Sequence, residues 1–345
     1  MSLSWNIFPH DLHLSSPLRT LRGSISQRRV WLVQVADNDV VGWGEASPLP
    51  GFGGEQPEDC LQALASIPDQ ARAALGYAQS LGDRAPCAAA AIRGALADRS
   101  ARQRGLPLAR QLAAATGSRP SSRLRCNALL VDPRTASFSP PTHGCYKWKS
   151  SGNIDADIAT AHQLSEQWGT EVKQRIDANG GWSIDDCRRF AKECQGLAID
   201  YVEQPLPVGQ EEALAALTEV QLRVGLDESL SSLATIGRVL SECWAEVLVI
   251  KMQWLGGFPA LRQIVHLAQA RHPRRVVVSS TLDSCIGRAH ALHACAALGL
   301  DHEFHGLDTG ALLANDPSDG EGATITGGDW RLPETSGLGV EWPIS

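Results

Sequence analysis

Hydrophobic positions change their period along this chain. Near the start, apolar-rich runs at 30–36 and 40–43 flank Asp37-Asn38-Asp39, a turn-favouring cluster, and together predict a β-hairpin. A Gly/Pro-rich loop follows, Pro48-Leu-Pro-Gly-Phe-Gly-Gly54, then two stretches of helical composition at 57–67 and 87–103. Strands followed by helices in one block predict a small α+β domain over residues 1–120. From Arg123 the order becomes strand, helix, strand, helix. Strand-like runs fall at 126–131, 145–149, 174–177, 201–203, 223–227, 247–251 and 275–280. The clearest helix between them spans 183–194. Ser183 with Asp186 opens it like a capping box, and Ile184, Cys187, Phe190, Ala191 and Cys194 make one apolar face. Another starts with Pro259 in its first turn, presents Leu261, Ile264, Val265 and Ala268, and ends near Pro273. Such alternation builds a parallel sheet, either open and doubly wound or closed into a barrel. No Gly-x-Gly-x-x-Gly follows a strand and no phosphate-loop signature occurs, which favours the barrel.

Composition narrows the class. With 345 residues, 43% apolar and 20% charged, the chain is an ordinary globular protein too long for one core. Its 31 basic against 38 acidic residues leave a net charge of −7 without any basic block, so nucleic acid is not an expected partner. No basic region precedes an apolar run at the N-terminus, and no stretch approaches the ~18 apolar residues of a membrane span. The nine cysteines include no Cys-x-x-Cys pair, so the expectation is buried, reduced thiols in a cytoplasmic protein. Nothing in the pattern sets an oligomeric state.

The candidate chemistry lies where the strands stop. Five end on a charge that a strand core should avoid: Lys149, Asp177, Glu203, Asp227 and Lys251, spaced 28, 26, 24 and 24 residues apart. Each interval is one βα unit, so all five charges gather round one barrel mouth, the end at which barrel enzymes build their sites. Three carboxylates converging there would repel one another, and a hard divalent cation removes that cost; oxygen-only ligands suit Mg²⁺ rather than zinc. Two lysines then face each other across the cation, where each should lose its proton more easily and one could serve as a base. Alternation along the strands adds Lys147, Arg175 and Asn179 to the same face.

Lys147-Trp-Lys149, Asp177-Ala-Asn179, Glu203-Gln-Pro205, Asp227-Glu-Ser229 and Lys251-Met-Gln-Trp-Leu-Gly-Gly257 together resemble the muconate-lactonizing subgroup of the enolase superfamily. Within it they are most similar to the o-succinylbenzoate synthase family. Gly42-Trp-Gly-Glu-Ala-Ser-Pro-Leu-Pro-Gly-Phe52, Val278-Ser-Ser-Thr-Leu-Asp-Ser-Cys-Ile-Gly287 and His305-Gly-Leu-Asp-Thr309 extend the likeness over most of the chain. The resemblance implies a capping domain at 1–120, completed by a return segment at 320–345, over a (β/α)₇β barrel at 121–319. A loop at 51–55 would close on a small carboxylate substrate. It further implies that Asp177, Glu203 and Asp227 hold Mg²⁺ and that Lys149 abstracts a proton α to a carboxylate. Lys251 would place its ammonium over the intermediate, Lys147 and Arg175 would touch the substrate carboxylate, and Ser279 and Ser280 would hold a succinyl tail. The reaction implied is a dehydration to o-succinylbenzoate in menaquinone or phylloquinone biosynthesis. The same residues could instead racemise N-succinylamino acids or epimerise dipeptides; an epimerase usually places acids near the last strand, where this chain has only Asp308. Trp148, between the two lysines, is bulkier than the small aliphatic residue expected there. From a different class, His290-x-x-His293 and His302-x-x-His305 would be the ligands of a zinc hydrolase.

Overall fold

The computed structural model describes residues 2–20, 23–37, 40–50, 55–133, 141–270, 274–316 and 320–340. Three antiparallel strands, β1 (Ser4–Thr20), β2 (Gly23–Asp37) and β3 (Val40–Ala46), form the first sheet in that order. The hairpin predicted from the apolar runs is β2–β3, although residues 38 and 39 of its turn lie outside the described residues. Helices α1 (Pro57–Leu64), α2 (Ala71–Leu81), α3 (Pro86–Gln103) and α4 (Leu108–Ala114) follow. Alanine lets α3 lie unusually close to the sheet. A Cβ at Gly42 or Gly44 of β3 would overlap α3 backbone at Ala95 and Ala91, so strand and helix meet main chain to main chain. Glu55 caps the amino end of α3, accepting the amides of Cys87 at 2.6 Å and Ala88 at 3.2 Å.

The barrel begins with β4 (Arg123–Cys126), which runs into β5 (Ala128–Leu130). In chain order, β5, β6 (Cys145–Lys149), β7 (Lys173–Asp177), β8 (Ile199–Glu203), β9 (Val224–Leu226), β10 (Val247–Ile250) and β11 (Arg275–Val278) form a seven-stranded parallel sheet. Ser280 N donates to Gly306 O and Gly306 N to Val278 O, each at 2.9 Å, joining β11 to β12 (Phe304–His305). Because β12 pairs in parallel with β4, the sheet closes on itself. Helices α5 (Ile154–Trp168), α6 (Ile184–Glu193), α7 (Leu233–Glu242), α8 (Phe258–Ala270) and α9 (Cys285–Ala297) pack outside, with a 3₁₀ helix at Glu211–Leu217 between β8 and β9. The capping box predicted at Ser183 is present: its hydroxyl accepts the Asp186 amide and Asp186 accepts the Ser183 amide. Outward-facing Trp148 is 1% exposed in the layer between strands and helices, and its indole N–H reaches Gln174 Oε1 at 3.2 Å. The bulk that looked misplaced in the sequence therefore points away from the barrel mouth.

After the barrel, β13 (Ile325–Thr326) and β14 (Asp329–Arg331) add to β4, and the chain returns to the first domain. Leu108 N meets Gly337 O at 2.8 Å, and buried Asp98 of α3 accepts both Trp43 N at 2.9 Å and Leu338 N at 2.7 Å. One carboxylate thus ties the sheet, its helix and the returning tail. Eight cysteines are buried, Cys243 is exposed, and none is bridged. Among the described residues no helix is long and apolar enough to cross a membrane.

Two buried histidines stitch the layers as neutral rings. His293 Nδ1 accepts Ala109 N at 3.1 Å while Nε2 faces Leu338 O at 3.0 Å; His305 Nδ1 accepts Val278 N at 3.1 Å while Nε2 faces Leu300 O at 3.0 Å. A second ring proton would point at an amide, and burial pulls His293 down to about 3 and His305 to about 4. The unfolded rings take protons near 6.5, so this stability is present above that pH and is lost as pH falls toward the folded values. We expect denaturant unfolding to show a loss of roughly 2 kcal/mol for each ring between pH 6.5 and 5. Equal stability at pH 7 and pH 5 would contradict it.

Candidate active site

The carboxyl ends of the strands open into a cavity of about 110 Å³. Lys147 and Lys149 enter it from β6, Asp177 and Asn179 from β7, Asp227 and Glu228 from the end of β9, and Lys251 from β10; Leu18, Ile25 and Leu49 of the first domain roof it. Register explains the clustering: Lys149 pairs with Asp177 and Asp177 with Glu203, so three successive strand ends stop level. In an eight-stranded barrel the strands of Lys149 and Lys251 lie four places apart, on opposite walls.

The charges interlock. Lys147 Nζ lies 2.7 Å from Glu203 Oε1 and 3.3 Å from Asp177 Oδ2, Lys149 Nζ is 3.1 Å from Asp177 Oδ2 and 2.7 Å from Asn179 Oδ1, and Lys251 is ion-paired with Asp227. Lys251 Nζ also sits 4.7 Å above the Trp254 ring. Burial pushes the Glu203 carboxyl up to about 7, helped by the charges of Asp177 and Asp227 and opposed by Lys147. At Asp177 burial pushes the same way, but Lys147, Lys149 and Lys251 outweigh it and hold the group well below the usual carboxylate range. Burial pulls Lys147 and Lys251 down as well. Asp177, Glu203 and Asp227 outweigh that at Lys147, and Asp227 and Glu228 outweigh it at Lys251, leaving both above the usual lysine range.

A divalent cation fits this donor set. Asp177 Oδ1 and Glu203 Oε2 are buried without any hydrogen-bond partner, which is costly for a carboxylate oxygen unless a cation meets it. Among the described residues no ready-made cluster of three or more metal-ligating side chains is closed, because lysine ammoniums stand between the acids. Zinc ligation by histidine does not fit: His290 Nε2 faces Trp43 O at 2.8 Å, the nitrogens of His293 and His305 are bonded to backbone, and His302 is exposed.

One expected substrate contact, Arg175, is corrected. Arg175 is fully buried and turns toward the amino ends of the strands, its guanidinium 2.9 Å from Asp200 and 3.0 Å from Asn127 Oδ1, stacked on Tyr201. Asp200, an acid inside β8, draws it and Arg275 into the barrel floor; burial pushes this carboxyl up, but the two guanidiniums outweigh it and hold it at about 2. Ser280 lines the cavity, but its hydroxyl donates to Asp283 Oδ2 at 3.2 Å and accepts Asp283 N at 3.1 Å, acting as a turn cap. Ser279 lines the cavity beside it. Of the loop expected to close, residues 51–54 lie outside the described residues.

Sequence reasoning passed over two supports. Gln204, at φ 42°, accepts Asp227 N at 3.1 Å and Ser229 N at 3.2 Å and so fixes the end of β9. Glu228 Oε1 accepts from Asn179 Nδ2 at 2.9 Å, which keeps the Asn179 oxygen turned to Lys149. Both stand inside motifs quoted above, and the positive φ following a strand-end acid is the feature a sequence hides.

A capped parallel barrel with carboxylates and opposed lysines at its mouth defines a class of enzyme built for charge stabilisation beside a base. The chain matches the family described as Enolase C-terminal domain-like over residues 141–343, and the MenC N-terminal domain over 4–97. It belongs to the enolase superfamily. An o-succinylbenzoate synthase of Thermosynechococcus vestitus is 30% identical, over 87% of this chain and 92% of that one. A hydrophobic dipeptide epimerase of Roseobacter litoralis is 28% identical, over 90% and 92% respectively. The crystal structure of a dipeptide epimerase from Methylococcus capsulatus, complexed with Mg and the dipeptide L-Arg-D-Lys, superposes with a TM-score of 0.85 at 26% identity, covering 98% of this chain and 99% of that one.

Proposed function

We propose that this enzyme is a Mg²⁺-dependent o-succinylbenzoate synthase, removing water from 2-succinyl-6-hydroxy-2,4-cyclohexadiene-1-carboxylate in a quinone-forming pathway. The observation that carries the reading is the far wall of the cavity. Asp308, the acid near the last strand, is paired with His143 at 2.8 Å, while the wall around it offers the hydroxyls of Ser279, Ser280, Thr281 and Thr309 and the apolar Leu282, under a roof of Leu18, Ile25 and Leu49. Such a wall suits a ring and an acyl tail better than an ammonium group. The match of the first domain to the MenC N-terminal domain supports the same choice.

Asp177, Glu203 and Asp227 would hold Mg²⁺, which supplies positive charge where the substrate carboxylate gathers electron density. Lys149 Nζ removes the α-proton, so the C–H electrons move toward the carboxylate. Lys147 donates to that carboxylate from the same strand, and Lys251 keeps an ammonium over the opposite face. As the electrons return, the C–OH bond breaks and Lys149 gives its proton to the departing hydroxide, forming water and an aromatic ring. Leu18, Ile25 and Leu49 keep bulk water from the dianion.

A second reading rests on the opposed lysines, which suit two-base racemisation of N-succinylamino acids or epimerisation of dipeptides, and epimerases are among the relatives. Comparing kcat/KM for the cyclohexadiene acid, N-succinylamino acids and dipeptides decides between them. We expect the cyclohexadiene acid to exceed the others at least tenfold; preference for a dipeptide would overturn the proposal.

A further inference from the structure

The Gly42-Trp-Gly-Glu motif of the first domain has no part in the chemistry above, yet its glutamate reaches the barrel. Glu45 is 1% exposed and accepts four hydrogen bonds, one of them from Ser47 of its own domain. The other three come from residues about 240 positions away: Ser284 N at 3.1 Å, the Ser284 hydroxyl, and Gly287 N at 2.9 Å, at the amino end of α9. The approach is tight, since a Cβ at Gly287 would fall 3.0 Å from Glu45 Oε2 and 2.6 Å from Asp283 Cβ. Arg28, 3% exposed, is bonded to Ser47 O and carries the compensating positive charge in the same interface.

The segment held there is strained. Leu282 has φ 62°, a left-handed conformation costly for a leucine, and its side chain lines the active-site cavity. Asp283 pins the preceding residues, accepting Thr281 N at 3.1 Å and the hydroxyls of Thr281 and Ser280. The cavity wall at Ser279, Thr281 and Leu282 therefore runs within two residues into Ser284, which is bonded from the first domain.

We propose that Glu45 is a positioning residue: through Ser284 and Gly287 it holds the strained 280–284 turn, so that the substrate-tail wall is completed only when the first domain is docked. The proposal rests on the reading of this wall as the contact for the substrate's acyl tail. Glu45→Gln should raise KM about tenfold while kcat falls less than threefold, because Lys149 lies on another wall. A residue that merely stabilised the fold would lower the melting temperature and leave KM alone.

Leu282→Gly supplies the second readout, since glycine adopts the left-handed conformation without strain. In that background Glu45→Gln should change KM less than twofold. Equal fold-changes with and without Leu282→Gly, or an unchanged KM in folded Glu45→Gln, would overturn the proposal. If Glu45→Gln does not fold, Ser284→Ala, which removes one donor from the same carboxylate, should raise KM in the same direction, and an unchanged KM there would equally overturn it. Failure of the wild-type enzyme to turn over the cyclohexadiene acid would sink the assigned reaction alone; the cycle is then read with the superfamily substrate that it does turn over.

Discussion

Alanine in place of Lys149 is expected to lower kcat by on the order of 10³–10⁴-fold, the upper range for loss of a general acid–base. The size follows from its double use: in the proposed dehydration the same Nζ takes the α-proton and returns it to the departing hydroxide. Lys147 is the nearest candidate to replace it, but it is pinned between Glu203 at 2.7 Å and Asp177 at 3.3 Å, above the usual lysine range. The fold should survive, since Lys149 is partly exposed and Asp177 keeps Lys147 as a partner. The check is saturating turnover of Lys149→Ala alongside a Mg²⁺ titration of the same protein. Cation binding should stay within a few-fold while turnover collapses; more than a tenth of wild-type kcat would remove Lys149 from the role of base.

What the sequence revealed, and what it hid, divides along a physical line. Lys149, Asp177, Glu203, Asp227 and Lys251 were legible as a group because five charges follow successive strands at the spacing of one βα unit. The direction of Arg175 was not legible: alternation put it on the inner face, but whether it rises to the mouth or sinks to the floor depends on Asp200 one strand away. Strand β1 escaped because Pro9 and Pro17 lower strand propensity, which an edge strand tolerates. Helix α9 was missed for the opposite reason. Every one of its residues is buried, so it has no polar face and no 3.6-residue period to find. Glu45 and Gln204 act on backbone amides across the fold, contacts that leave no local pattern at all.

Glu203→Gln should separate the cation from the fold with two effects of opposite sign. The side chain is 1% exposed, and repulsion from Asp177 and Asp227 adds to burial in pushing its carboxyl up to about 7. Glutamine keeps the shape and an oxygen for Lys147, and it relieves that repulsion. The cation-free variant should therefore melt at the wild-type temperature or slightly above it. Toward Mg²⁺ the outcome reverses. Losing one of three anionic ligands, and the unpartnered Oε2 with it, should weaken binding at least 100-fold. A ligand at 100 times its Kd stabilises the folded state by about 2.7 kcal/mol, whereas the same concentration at a Kd raised 100-fold gives only about 0.4 kcal/mol. Thermal melts with and without Mg²⁺ should thus show a rise of several degrees for the wild type and almost none for Glu203→Gln. An undiminished rise in the variant would mean that the cation binds elsewhere, and the three strand-end acids would lose their assignment as its ligands.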